Sequence, residues 1–181
     1  MSQQNELFSQ SPSDPPPDTR LQDALDFTHL ADLLATHRWL EADQETDRLI
    51  LTIVGRTAAG WLRVEDISQV PCTFLTTLDY LWSQASEGAF GFFVQYHLWV
   101  ESGGTQSPNW ASWQKFGEQV GWLQDGQWLS HSLITASKLP KGYLPFNHSI
   151  IAGSGWFRLG AFYSRLAVCG GLSPLSNAII K

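Results

Sequence analysis

From Leu21 to Ala35 the apolar residues fall at Leu21, Ala24, Leu25, Phe27, Leu30, Ala31 and Leu34. Steps of three and four put them on one side of a helix. A second helix is expected over 40–54, with Ala42, Leu49, Ile50, Ile53 and Val54 as its apolar row and Gly55 as its stop. The connection is short, so the two helices are expected to lie antiparallel. A turn region around Gly60 and Trp61 leads to a short helix over 64–69. Pro71 then suits the first turn of a third long helix over 72–85, where Leu75, Leu78, Leu81 and Trp82 recur at helical spacing and Gly88 ends the run.

The segment 90–100 (FGFFVQYHLWV) is rich in β-branched and aromatic residues. It reads equally well as a strand or as a buried helix. Gly103, Gly104 and Pro108 make a loop, and 110–117 reads as a helix with Trp110, Trp113 and Phe116 on one face. Residues 121–143 show no sustained period and hold several turn formers. An amphipathic helix is expected over 155–168, with Trp156, Leu159, Phe162, Tyr163 and Leu166 on one side. Medium helices joined by short connections predict a mainly α fold, one compact helical domain over 21–181. An α+β alternative rests on 90–100 and 127–135. Residues 1–20 are Ser/Gln/Asp/Pro-rich, with three consecutive prolines from Pro15 to Pro17, and read as a disordered arm.

Composition narrows the class of function. Charged residues are only 15% of the 181, and aromatic residues are 13%, including nine Trp. The first hundred residues hold five Lys/Arg against fourteen Asp/Glu, whereas the remainder holds six against three. The net charge of −6 and the scattered basic residues argue against nucleic-acid binding. The basic second half can still receive a small anionic ligand. The start of the chain lacks a basic region followed by an apolar core, and no run of some 18 apolar residues spans a membrane. A cytoplasmic location is expected, with peripheral membrane contact through 150–166 kept as an alternative. Cys72 and Cys169, 97 positions apart, are expected as two buried thiols.

No nucleophile elbow, phosphate loop, metal-ligand spacing or paired acid and base is present, so an enzyme is not expected and no metal site is assigned. Glu41, Asp43, Glu45 and Asp47 crowd the start of the second helix, where acidic residues suit the helix dipole. Asp43 and Thr46 could also form a local hydrogen-bonded pair. The histidines are scattered; His131 and His148 lie in the loop-rich basic half. Trp61, Trp99, Trp110, Trp113, Trp122, Trp128 and Trp156 cannot all be packed deep in one small domain, because each indole N–H needs a partner. They read either as core with surface anchors or as a concave aromatic surface for a flat ligand. Lys138, Lys141, Arg158 and Arg165 would then sit near its rim and pair with ligand carboxylates.

Several segments resemble the genomes-uncoupled-four family. Trp39-Leu-Glu-Ala42-Asp43-Gln-Glu-Thr46 is similar to its W-x-E-A-D-x-E-T opening. Ile67-Ser-Gln-Val70-Pro71-Cys72 followed by Leu78-Asp79-Tyr-Leu81-Trp82 matches in order, as do Gly88-Ala-Phe90-Gly91-Phe92-Phe93-Val94-Gln95 with Trp99 beyond. Gly121-Trp122 and Lys141-Gly142-Tyr143-Leu144-Pro145 resemble its later elements. The chain departs from the family pattern at Phe74, Phe93 and Tyr143, and its first arginine after the Leu-Pro element is Arg158.

The resemblance implies an all-helical domain shaped like a cupped hand. It implies binding of protoporphyrin or magnesium protoporphyrin, and stimulation of magnesium chelatase through that enzyme's large subunit, without enzymatic activity of its own. Val64 matches a ligand-facing apolar position, and Trp128 and His131 fall in the region of the family's binding loop. With the aromatic and basic residues above, the expected ligand-binding set is Trp61, Val64, Phe92, Trp122, Trp128, His131, Lys141, Arg158 and Arg165. The alternative is a divergent paralogue, a haem- or bilin-sensing or ligand-free interaction module in signalling.

Overall fold

A computed structural model describes residues 26–129, 139–146, 148–151, 155–173 and 175. The expected arm over 1–20, the start of the first helix, His131 and Lys138 lie outside the described residues. Among the described residues eight α-helices follow in order: α1 Thr28–Ala35, α2 Trp39–Ile53, α3 Val64–Gln69, α4 Cys72–Ala85, α5 Phe92–Glu101, α6 Trp110–Val120, α7 His148–Ile151 and α8 Arg158–Cys169. A two-residue hairpin, β1 Leu123–Gln124 with antiparallel β2 Gln127–Trp128, follows α6, and a 3-10 turn over Gly155–Phe157 precedes α8. The mainly α class expected from the pattern is the class observed. Among the described residues no helix is long and apolar enough to cross a membrane.

The open segment 90–100 is helical. α5 buries one face, Phe92, Gln95, Tyr96 and Trp99, with α6 and α8 packed against the helix, and Phe93, Val94, Leu98 and Val100 make its other faces apolar as well. α6 runs one turn further than expected, to Val120, where Gly121 takes a left-handed conformation (φ 80°) and ends it. α8 begins later than expected, because 155–157 form the tighter 3-10 turn.

The centre of the fold is α8, which packs against α3, α4, α5 and α7. It buries Leu159, Phe162, Tyr163 and Leu166. The core is aromatic: Phe92 meets Phe162 edge-on at 5.2 Å, and Trp99 meets Phe116 edge-on at 5.4 Å. Trp82 is fully buried, with its indole N–H donating to Thr46 Oγ1 at 3.0 Å.

The acidic start of α2 does more than suit a dipole. Asp43 Oδ1 accepts the backbone N–H of Phe146 at 2.7 Å, and Asp47 Oδ1 accepts the backbone N–H and hydroxyl of Ser149 at 3.1 and 2.6 Å. Two carboxylates thus tie the chain around 146–149 to α2. Thr46 bonds the Ala42 carbonyl and Trp82 in these contacts. The expectation of two free thiols is corrected. Cys72 and Cys169 are joined by a disulfide that links the start of α4 to the end of α8. Spacing along the chain gave no sign of it, since helix packing brings the two together.

Candidate functional site

Two clefts adjoin at the 3-10 turn before α8. The first is a groove of about 590 Å³ lined by Val64, Gln106, Ser107, Pro108, Phe157 and Ala161. One wall is α3, which opens on Val64; the other is Phe157 and the first turns of α8. Val64 and Phe157 stay 45% and 49% exposed, apolar surface that no described residue covers.

The second cleft, about 260 Å³, is lined by Trp110, Trp113, Trp122, Trp128, Leu129, Phe146 and Trp156. Its geometry is set locally. Asn109 caps α6 by accepting the Ser112 N–H at 2.9 Å, which fixes Trp110 and Trp113 one turn apart on the same side. Asp125 and Gly126 both have positive φ, 50° and 76°, the chemistry of a tight hairpin turn. That turn pairs Trp128 with Leu123 and returns its ring over α6. There it stacks on Trp113, centroids 4.5 Å apart at 11°. Trp156 lies nearly parallel to Trp113 at 6.3 Å, and Trp110 meets Trp156 edge-on at 5.9 Å. Trp156 and Phe157 are consecutive, so one turn of chain supplies a wall to each cleft.

Positive charge gathers around Trp61. The guanidinium carbons of Arg56 and Arg158 each lie 5.1 Å from the centroid of its ring. Arg158 also lies 5.4 Å from the Phe157 ring and donates through Nε to the Ile150 carbonyl at 2.7 Å. Burial lowers its pKa from the usual arginine value. Arg56 Nε is 3.2 Å from Asp66 Oδ2, and Arg63 grips Asp66 bidentately, Nη2 to Oδ1 at 2.7 Å and Nε to Oδ2 at 3.0 Å. The hydrogen bonds from Arg63 hold the Asp66 carboxyl down to about 2. Arg56 therefore joins two groups, the exposed Trp61 indole, which it shares with Arg158, and the buried Asp66 carboxylate, which it shares with Arg63. Flat apolar faces beside guanidiniums suit a planar ligand that carries carboxylates at its edge.

The expected site residues divide accordingly. Trp61, Val64, Trp128 and Arg158 belong to this surface. Trp122 is 1% exposed; it donates its N–H to the Tyr143 carbonyl at 2.8 Å and backs the tryptophan cleft. Phe92 does not face a cleft, because it is fully buried against Phe162. Arg165 points elsewhere, its Nε and Nη2 donating to the Val70 carbonyl at 3.0 and 2.8 Å. Lys141 is exposed at the turn before Gly142 and lines neither cleft. Trp110, Trp113 and Trp156, read from sequence within the wider aromatic set, are central to the cleft. Arg56, Pro108, Phe146 and Phe157 were missed. The signal for Phe157 and Arg56 was present in part, as each lies near an expected site residue in the chain.

This is a helical domain whose clefts present an apolar and cationic surface. The family model described as GUN4-like matches residues 20–158, and the chain belongs to that family. The protein named "Uncharacterized protein ycf53" of Pyropia yezoensis is 35% identical over 125 residues, 62% of this chain and 47% of the relative. The "Tetrapyrrole-binding protein, chloroplastic" of Arabidopsis thaliana is 31% identical over 77 residues, 41% of this chain and 29% of the relative. The fold matches the ligand-free structure of Arabidopsis thaliana GUN4 with a TM-score of 0.62 and 22% identity, covering 78% of this chain and 98% of the other. The chain spans about half the length of the Ycf53 relatives it matches.

Proposed function

We propose that this chain binds a tetrapyrrole, protoporphyrin or magnesium protoporphyrin, and through that binding stimulates magnesium chelatase by way of its large subunit. The observation that supports the ligand is the groove of Val64 and Phe157 with the Arg56–Trp61–Arg158 cluster beside it and the tryptophan cleft adjoining it. A tetrapyrrole is a flat, largely apolar disc with two propionates on one edge. Its face would cover the groove and reach the tryptophans. Each 100 Å² of apolar surface so buried contributes about 2.5 kcal/mol. The propionates would meet Arg56 and Arg158, where a charge-assisted hydrogen bond contributes about 1.5–3 kcal/mol. A shallow surface releases its ligand faster than an enclosed pocket of equal contacts, which suits a protein that passes the macrocycle on. The role is binding and regulation. The chain's own residues hold and orient the disc and carry out no chemistry on it.

The test is a titration with deuteroporphyrin, and with its magnesium form in parallel, followed through tryptophan fluorescence. Saturable quenching at one equivalent and at micromolar concentration or below, about −8 kcal/mol, is the expected result. No saturable quenching overturns the ligand assignment. With binding established, a chelatase rate unchanged by added protein overturns the regulatory assignment.

A further inference from the structure

The two walls of the Val64–Phe157 groove are α3 and the start of α8, and these helices pack on each other. At the groove they carry Val64 on one side and Phe157 and Ala161 on the other. At their far ends they are fastened twice. Arg165 on α8 donates two hydrogen bonds to the carbonyl of Val70, the residue that closes α3. Two residues on, Cys72 is bonded to Cys169, the last residue of α8, with 4.9 Å between their α-carbons. The wedge formed by α3 and α8 is therefore closed covalently at the end away from the ligand surface. We propose that the Cys72–Cys169 bond is a reversible redox clasp that sets the separation of the groove walls. The ligand arm of its test rests on the function proposed above; the rest does not.

The surroundings of the bond suit exchange. Both cysteines are half-buried, so an external dithiol can reach them. Cys72 is the first residue of α4, a 14-residue helix. The unpaired N–H groups of that first turn stabilise a thiolate, which makes Cys72 the better leaving group. A thiolate of the external dithiol attacks Cys169 Sγ, and an S–S bond forms between them as the Cys72–Cys169 bond breaks. Cys72 leaves as a thiolate and takes up a proton. The second thiol of the reductant then displaces Cys169 and closes the reductant's own disulfide. Two electrons and two protons pass to the domain, and the reverse sequence restores the bond. Reduction removes the covalent fastener and leaves the far end of the wedge to the Arg165–Val70 hydrogen bonds, so that end loosens while the buried face of α8 keeps the domain folded. Beyond α8 the Tyr96 hydroxyl donates to the Ser173 carbonyl at 2.8 Å and keeps a tie that does not depend on the disulfide.

The experiment treats the whole chain with a reduced thioredoxin-type dithiol under native conditions. It then counts thiols, maps amide hydrogen exchange and measures deuteroporphyrin affinity in both states. Two thiols should appear without denaturant. Exchange in 64–72 and 158–169 should quicken at least tenfold while that in 39–53 does not change, and the porphyrin Kd should rise at least threefold. The double variant Cys72→Ser/Cys169→Ser should match the reduced protein and ignore the dithiol. A bond that resists reduction until the protein unfolds overturns the proposal, as does exchange that rises uniformly or not at all. An equal Kd in the two states, in protein that binds porphyrin, overturns it too. Failure of the oxidised protein to bind porphyrin tells against the functional reading, and the exchange pattern still decides on the clasp.

Discussion

Gly117 sits inside α6 directly beneath the indole of Trp128: a β-carbon there would lie 2.5 Å from both Cη2 and Cζ3 of that ring. A glycine inside a helix costs about 1 kcal/mol relative to alanine. Here the missing side chain is what lets Trp128 lie flat and stack on Trp113.

Gly117→Ala therefore sets two effects of similar size against each other. The helix gains about 1 kcal/mol, while the displaced stack loses about 0.5–1.5 kcal/mol. Urea denaturation should show a change in stability of under ~1 kcal/mol. Porphyrin affinity should fall severalfold, because the aromatic wall has moved. A clear gain in stability with affinity unchanged would show that Trp128 is not held by this glycine.

Gly155 stands in the same relation to Arg158, with a β-carbon there falling 1.9 Å from Nη2. Gly155→Ala should push the guanidinium off the Trp61 ring and break its 2.7 Å bond to the Ile150 carbonyl. The expected cost is about 1–3 kcal/mol in thermal or chemical denaturation. Porphyrin affinity should fall in Gly155→Ala and also in Arg158→Lys, since an ammonium lacks the planar fork.

These glycines show what the sequence could and could not reveal. The long helices were legible because their apolar residues keep a single period between clear breaks; the run over 72–85 appears as Cys72–Ala85. α5 was not: its buried residues Phe92, Gln95, Tyr96 and Trp99 form one helical face, but Phe93, Val94, Leu98 and Val100 make the other faces apolar too and mask the period. Trp61 was read within the wider aromatic set, and Val64 through its match to a family position. Trp110 and Trp156 have the spacing of ordinary packing faces, and spacing does not say whether a face is covered. Nor does any pattern separate Arg158, which meets an indole at the site, from Arg165, which serves a carbonyl one helix away. The disulfide joins residues 97 apart in the chain, a proximity that only the packing of α4 on α8 creates.

Asp66 makes stability depend on pH in the acid range. Arg63 holds its folded pKa at about 2, below the ordinary aspartate value of 3.8. A depressed carboxyl pKa gives stability that is complete above the unfolded value and is lost as pH falls from about 4 to 2. Asp66 is buried but the Arg63 side chain is 52% exposed to water, so the contribution is about 1–2 kcal/mol rather than the full linkage value. Asp66→Asn should lower the urea midpoint at pH 7, and the gap from the wild-type protein should close by pH 2. A gap that stays constant with pH would contradict the assignment.

Gln95 links the core to the tryptophan cleft. Its amide N–H₂ donates to the carbonyls of Gly142 and Pro145 at 2.9 and 2.6 Å, and its carbonyl accepts from the Tyr163 hydroxyl at 3.3 Å. Burial pushes the Tyr163 hydroxyl well above its usual pKa, so it remains a donor. Gln95→Leu leaves two buried carbonyls without this donor and should cost about 2–5 kcal/mol in chemical denaturation. Phe146 follows Pro145 and stands 4.8 Å from the Trp122 ring, so near-ultraviolet circular dichroism of the tryptophans should change as well.

The most direct test of the central claim is a single charge placed in the groove. Val64 is 45% exposed, so Val64→Glu should change the urea midpoint little. Its carboxylate would lie where the apolar face of a porphyrin is expected to rest. The dissociation constant for deuteroporphyrin should rise at least tenfold, about 1.4 kcal/mol, with the wild-type tryptophan spectrum retained. An unchanged constant in that folded variant would show that the macrocycle does not bind in this groove.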